Sequence, residues 1–205
     1  MTTLKLEHGP WAYWADFAVY LGVAAGLAAL LGWQGPPGRG LHLLGFMVLG
    51  LVFWTLAEYA LHRWVLHGVA PFSRWHAEHH HRPMALIATP TVLTLPAFVV
   101  VVFLPVWWLG DFWQACAFSL GVLAGFQIYA FSHHAVHHWR ADSAWLKSLK
   151  RWHAIHHRAL HAHRSGLAPE LSCYGVSVPL WDHLLGSAPR PQTRALRQRL
   201  RPWWF

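Results

Sequence analysis

Eighteen of the chain's 205 residues are histidines, and most stand in four groups. HRWVLH holds His62 and His67. WHAEHHH holds His76, His79, His80 and His81. SHHAVHH holds His133, His134, His137 and His138. RWHAIHHRALHAH holds His153, His156, His157, His161 and His163. Spacing turns these groups into geometry. His76, His79 and His80 stand at i, i+3 and i+4, so a helix presents them on one face. His153, His156 and His157 repeat the pattern. His133 and His137 are four apart, as are His134 and His138. His62 and His67 are five apart, which suits a helix end where the chain unwinds.

Two H-x-x-H-H boxes and two paired boxes supply about ten imidazoles for one polar cavity. Neutral imidazole ligates iron, zinc, copper or nickel. A tetrahedral zinc ion takes about four ligands. Ten therefore suit two ions at about five each. Buried and unpaired, so many imidazoles are costly, and protonated they repel. A metal resolves both problems. A solvated histidine-rich surface has no reason to repeat helical spacing in two places. His8 and His42 are isolated and read as interfacial. His183, in WDHLLGS, reads as structural, and Asp182 beside it as a turn or packing residue.

The elements that position the boxes are apolar. Hydrophobic residues make up 55% of the chain and charged ones 12%, which excludes a disordered chain. Four long stretches are nearly free of charge, and about 20 such residues span a bilayer. We place spans near 12–33, 41–61, 88–109 and 112–132. Pro96 and Pro105 predict a kink or break in the third, since each removes a backbone donor. Four spans leave Arg39, alone of the 16 Lys and Arg, on one face of the membrane. The rest share the other face with every histidine box, and that bias marks the cytoplasmic side. The 189–205 tail, basic and ending in Trp203, Trp204 and Phe205, reads as a membrane-surface anchor. No nucleic-acid motif accompanies the +8 charge. Cys116 and Cys173 do not suggest a disulfide framework.

Taken in order, HRWVLH, HAEHH, HHAVHH, HAIHH and YGVSVPLWDHLLGS resemble the fatty acid hydroxylase and sterol desaturase superfamily, over about Glu58 to Ser187. The resemblance implies an all-α fold: an integral membrane four-helix domain with a cytosolic helical cap carrying a dinuclear site. Carried over, the ligands are His62, His67, His76, His79, His80, His133, His137, His153, His156 and His157. The third box stays open: His134 with His138, or His133 with His138, fits as well. The Pro-Met pair after the second box is similar to fatty acid 2-hydroxylases. The short link from His67 to His76 is nearer the carotenoid hydroxylases. The SVPLWDHLLGS ending is nearer a bacterial sterol-desaturase-like branch.

The implied chemistry is C–H hydroxylation by two iron ions that activate dioxygen. Side chains alone cannot supply that oxidant. Zinc fits imidazoles but lacks redox chemistry. Electrons come from an external donor: a reductase, a ferredoxin or a small cytochrome. The substrate is a lipid, entering from the membrane near Trp64 and Tyr59, with a fatty acyl chain favoured near its polar end. Sterol or carotenoid hydroxylation or desaturation is the alternative within the superfamily. Glu58 precedes His62 by four and is expected either to accept its second ring proton or to pair with Arg63 or Arg82. The expected location is the inner membrane in a bacterium or the endoplasmic reticulum in a eukaryote. A metal-binding or metal-transporting membrane protein is the reading from another class. It needs ionisable residues along the spans, and the span interiors hold almost none.

Overall fold

The computed structural model describes residues 7–164 and 173–189, with side chains of the former range described to 158. Among the described residues the chain is helical, with no strand beyond one bridge between Glu7 and Ile87. The helices are α1 (Pro10–Gln34), α2 (Gly40–Ala60), α3 (Phe72–His81), α4 (Thr91–Phe98), α5 (Leu104–Leu109), α6 (Phe112–His138), α7 (Ala144–Arg164) and α8 (Leu180–Leu184). Four helical stretches are long and apolar enough to cross a membrane: Pro10–Gln34, Gly40–Leu66, Thr91–Leu109 and Phe112–His138. Cys116 and Cys173 are both buried and neither is in a disulfide. The basic tail from 190 onward, and the side chains of His161 and His163, lie outside the described residues.

Two helical stretches depart from regular α geometry. The expected unwinding at His62 and His67 is instead a π turn over Leu61–Leu66 that continues α2. A π register bonds i to i+5, so two residues five apart share one face. The third stretch is interrupted as the prolines required. α4 carries Pro96, a π turn covers Val99–Phe103, and Pro105 opens α5. Proline at 105 cannot donate to residue 101, and a shifted register is one way a helix absorbs that loss.

The chain divides into two compact units, 1–54 with 85–128, and 55–84 with 129–205. The first is helix packed on helix. Within it α2 and α6 approach backbone to backbone. A Cβ on Gly121 would stand 1.9 Å from the Met47 carbonyl oxygen, and one on Gly50 would stand 2.1 Å from that of Phe118. Gly125, one turn on, faces the Trp54 side chain. Gly121 and Gly125 form a G-x-x-x-G pair, the small-residue spacing that lets membrane helices touch backbone to backbone. Polar ties close the unit. Asp111 and Gln114 cap α6 reciprocally, each backbone N–H meeting the other's side chain at 3.0 and 2.9 Å. Arg39 pairs with Asp111 at 2.6 Å. His8 and His42 are not isolated: His8 stands 3.3 Å from Asp16, and His42 contacts Gln114. Asp16, inside α1, also accepts the Thr91 hydroxyl.

The second unit carries α3, α7, α8, the π turn after α2 and the last part of α6. α7 is amphipathic: Leu146, Leu149, Lys150, His153, Ala154, His156 and His157 are buried, while Lys147 and Arg151 are exposed. Leu146 and Leu149 pack on Ala135 and Val136 of α6. This packing sets the third and fourth boxes side by side.

Candidate metal centre

All four boxes lie in the second unit, each on its own helical segment. The π turn brings His62 and its end residue His67 inward, α3 brings His76, His79 and His80, α6 brings His133 and His137, and α7 brings His153, His156 and His157. Their imidazoles form two groups. One is His62, His67, His76, His80 and His156; the other is His79, His133, His137 and His153. Within each group the facing nitrogens all lie within 4.8 Å of one another. His157 stands beside the second group, its Nε2 3.0 Å from that of His153. Nine of the ten expected ligands thus fall in the two groups and the tenth adjoins one.

The groups cut across the boxes. His79 and His80 are neighbours in sequence but face different groups, as do His153 and His156. Consecutive helical residues point about 100° apart, so one box feeds two centres. Of the third box, His133 and His137 lie in one of the groups. His134 and His138 stack on each other, ring centroids 4.5 Å apart, and neither belongs to a group. Replacing His138 by Ala is therefore expected to leave metal content unchanged, whereas replacing His137 lowers it. Elemental analysis of the two purified variants checks this.

The nitrogen spacing tests whether metal fits. In the first group Nε2 separations are 3.0 Å for His62–His76, 3.0 Å for His76–His80, 3.1 Å for His80–His156 and 3.1 Å for His67–His156. In the second, His137 and His153 stand 2.8 Å apart. These contacts cannot all be hydrogen bonds. A ring nitrogen has one in-plane site, which either donates or accepts, yet the Nε2 of His76 faces two others. In the second group the buried Nε2 of His79 has no hydrogen-bond partner. Lone pairs converging this way call for a cation. At a metal–nitrogen distance of about 2.1 Å, ligands at right angles stand about 3.0 Å apart and tetrahedral ones about 3.4 Å. The adjacent separations in the first group are close to the right-angle value.

One imidazole's proton is fixed by its surroundings. The Nδ1 of His62 lies 2.6 Å from the Tyr174 carbonyl oxygen. A carbonyl only accepts, so Nδ1 carries the proton and Nε2 presents its lone pair. Glu58 takes neither expected partner, His62 or an arginine. Its Oε1 accepts the N–H groups of Val176 and Ser177 at 2.7 and 2.8 Å, and its Oε2 the Ser177 hydroxyl. Tyr59 is not an entry residue: it is fully buried, bonded to Ser187 and Arg63. Trp64 is 56% exposed. Sequence reasoning gave Asp182 a turn or packing role, and the structure gives it more. It is a wholly buried carboxylate that accepts from Tyr174 N, Gly175 N, Ser187 Oγ and Trp152 Nε1. Its place in the WDHLLGS motif was the available signal.

The family model for fatty acid hydroxylases matches residues 47–187, all four boxes included. The chain belongs to this family. The ceramide very long chain fatty acid hydroxylase scs7 of Schizosaccharomyces pombe is 28% identical over 158 residues, 69% of this chain and 42% of the relative. The dihydroceramide fatty acyl 2-hydroxylase FAH2 of Arabidopsis thaliana is 28% identical over 162 residues, 71% of this chain and 62% of the relative. The fatty acid 2-hydroxylase of Rattus norvegicus is 30% identical over 154 residues, 68% of this chain and 38% of the relative. The chain thus spans between 38% and 62% of the length of these curated relatives. In fold it matches the solved hydroxylase domain of full-length scs7p, with a TM-score of 0.72 at 23% identity, covering 89% of this chain and 68% of that one.

Burial governs the protonation of this family member's imidazoles. It pushes His67 and His79 from the usual 6.5 down to about 3, with neighbouring His62 and His157 adding to the effect. Burial also lowers His76, His80 and His153. These five imidazoles are therefore neutral at pH 7, as ligation requires. The unfolded chain binds protons below about 6.5, while the folded chain resists them down to about 3 for His67 and His79. The resulting stability is present above the unfolded value and is lost as pH falls through this window. Melting temperature and metal content are both expected to fall between pH 7 and pH 5. A melting temperature unchanged across that interval would contradict the burial described.

Proposed function

We propose that this chain is a membrane-embedded hydroxylase that uses two iron ions and dioxygen to oxidise the acyl chain of a lipid near its polar end. The observation that carries the reading is the pair of converging imidazole groups, their facing nitrogens within 4.8 Å of one another in each, in a chain of the fatty acid hydroxylase family. His62, His67, His76, His80 and His156 would hold one ion; His79, His133, His137 and His153, with His157 beside them, the other. Bound iron would supply the dioxygen activation that no side chain can.

The chain's own residues would do the rest. Burial keeps His67, His76, His79, His80 and His153 neutral. The Tyr174 carbonyl holds the His62 tautomer. The Tyr174 ring packs on His62, His67 and His156, with centroids 5.6 to 5.8 Å away, and covers that group. One oxygen atom of dioxygen would enter the C–H bond and the other would leave as water. The two electrons and two protons this requires come from an external reductase, ferredoxin or small cytochrome.

The relatives' names point to the acyl 2-position of ceramide-type lipids. Its depth suits boxes at the ends of the second and fourth spans, because a headgroup-anchored chain presents its first carbons there. The basic residues clustered with the boxes support a cytoplasmic site, and a tag in the 34–40 loop found on the cytoplasmic side would overturn that topology. Expression in a host that makes both acyl lipids and carotenoids tests the substrate. Lipid mass spectrometry should show acyl chains gaining one oxygen atom; a gain confined to carotenoids would refute the acyl reading.

A further inference from the structure

One short segment of the second unit has no regular secondary structure and yet is among its most buried parts. Cys173, Tyr174, Gly175 and Val176 are all buried. Cys173 adopts a positive φ of 65°, a left-handed conformation that a non-glycine residue holds only when its surroundings fix it. Two carboxylates do the fixing. Asp182, wholly buried on α8, takes the N–H of Tyr174 and of Gly175 at 2.8 Å each. Glu58, 3% exposed on α2, takes the next two N–H groups, those of Val176 and Ser177. Four consecutive backbone donors thus end on two acids. The Cys173 N–H adds a bond to the Ser187 carbonyl at 3.2 Å, and the Ser187 hydroxyl returns to Asp182 at 2.8 Å.

The Tyr174 carbonyl of this segment is aimed at the imidazoles and accepts from the Nδ1 of His62. With its N–H groups tied down on one side, the strap cannot swing that carbonyl away. No such support reaches every histidine: the buried Nδ1 atoms of His80 and His153 have no hydrogen-bond partner. The Tyr174 carbonyl meets His62 and the Tyr174 ring packs on His62, His67 and His156, all members of the five-histidine group.

We infer that Glu58 and Asp182 are positioning residues for the five-histidine group, acting at one remove through the 173–177 strap to fix the His62 tautomer. The inference rests on the metal-centre reading above and adds an asymmetry to it. Weakening the strap should weaken one ion and spare the other. Altering a partner that orients a metal-bound histidine costs about 10- to 100-fold in metal affinity, and the strap is such a partner.

The test is stepwise titration of the full-length apo protein in detergent with cobalt(II) alone, followed by its absorption spectrum. Uptake of two equivalents by the wild-type protein bears on the metal reading; the strap is judged by how the variants differ from it. Asp182→Asn turns an amide group onto two of the donors it now accepts. Glu58→Ala removes an acceptor for two N–H groups. Each should weaken one equivalent by about 10- to 100-fold and leave the other at its wild-type affinity and spectrum. Glu58→Gln keeps an oxygen for both backbone donors and should restore most of the affinity lost in Glu58→Ala. It also provides the folded variant if the alanine form does not accumulate. Equal weakening of both equivalents would reduce these acids to general scaffold and overturn the inference. Unchanged affinity for both in folded Asp182→Asn would overturn it too.

Discussion

Replacing His156 by Ala should abolish product formation and remove one metal ion while the other stays. His156 is completely buried, and its Nε2 stands 3.1 Å from both His80 and His67. Removing it takes away the nitrogen that joins the α7 side of the group to the α3 and π-turn sides. The loss should exceed the roughly 10- to 100-fold caused by disturbing an orienting partner, because a ligand itself is gone. His79→Ala should do the converse. It deletes the buried nitrogen that has no partner in the four-histidine group and should spare the five-histidine ion. Elemental analysis should return about one ion for each variant and about two for the wild-type chain. Loss of both ions from either variant would mean that the two groups are not separate sites. Full activity in either would mean that its group is not part of the reaction centre.

Replacing Gly121 by Val should prevent the first unit from assembling. A Cβ there would lie 1.9 Å from the Met47 carbonyl oxygen and 2.8 Å from the Leu51 nitrogen. Both are backbone atoms of α2, so nothing can rotate aside. The helices must separate or bend, at a cost above the roughly 1–3 kcal/mol of ordinary overpacking. Even Ala should lower the folded yield. Gly22, in α1, is the matched control, since a Cβ there meets nothing within 4 Å. Gly22→Ala should leave yield and melting temperature near wild type. Size-exclusion profiles and thermal melts of the three detergent-purified variants decide the matter. A monodisperse Gly121→Val protein with a wild-type melt would show that α2 and α6 do not touch there.

Much of this was legible in the sequence because it is periodic. Charge-free runs announce spanning helices, and an i, i+3, i+4 histidine pattern announces a ligand face. Both are local properties of a helix. The sorting of histidines between groups was not legible. His79 and His80 diverge only because α6 and α7 lie on particular sides of α3, and no local pattern encodes that. The strap was illegible for the opposite reason. Residues 173–177 have no period at all; their conformation is dictated by carboxylates 118 and 8 residues away, as Glu58 to Val176 and Asp182 to Tyr174 show. The closeness of Gly121 to α2 was written in the G-x-x-x-G spacing, which the search for charge-free runs passes over. Glu58 was singled out by its distance from His62, and that distance suggested the wrong partner.

The π turn over Leu61–Leu66 bears on how this kind of site can change over evolutionary time. Read in π register, His62 and His67 at a spacing of five present their rings to one group. Read in α register, His133 and His137 at a spacing of four do the same. The two spacings are two spellings of one geometric instruction, and a single inserted or deleted codon, with a matching change of register, converts one into the other. A histidine pair in a distant chain can therefore gain or lose a residue between its members and still belong to the same ancestral pair. A comparison that insists on fixed spacing would score that drift as the loss of a site which the helix has kept.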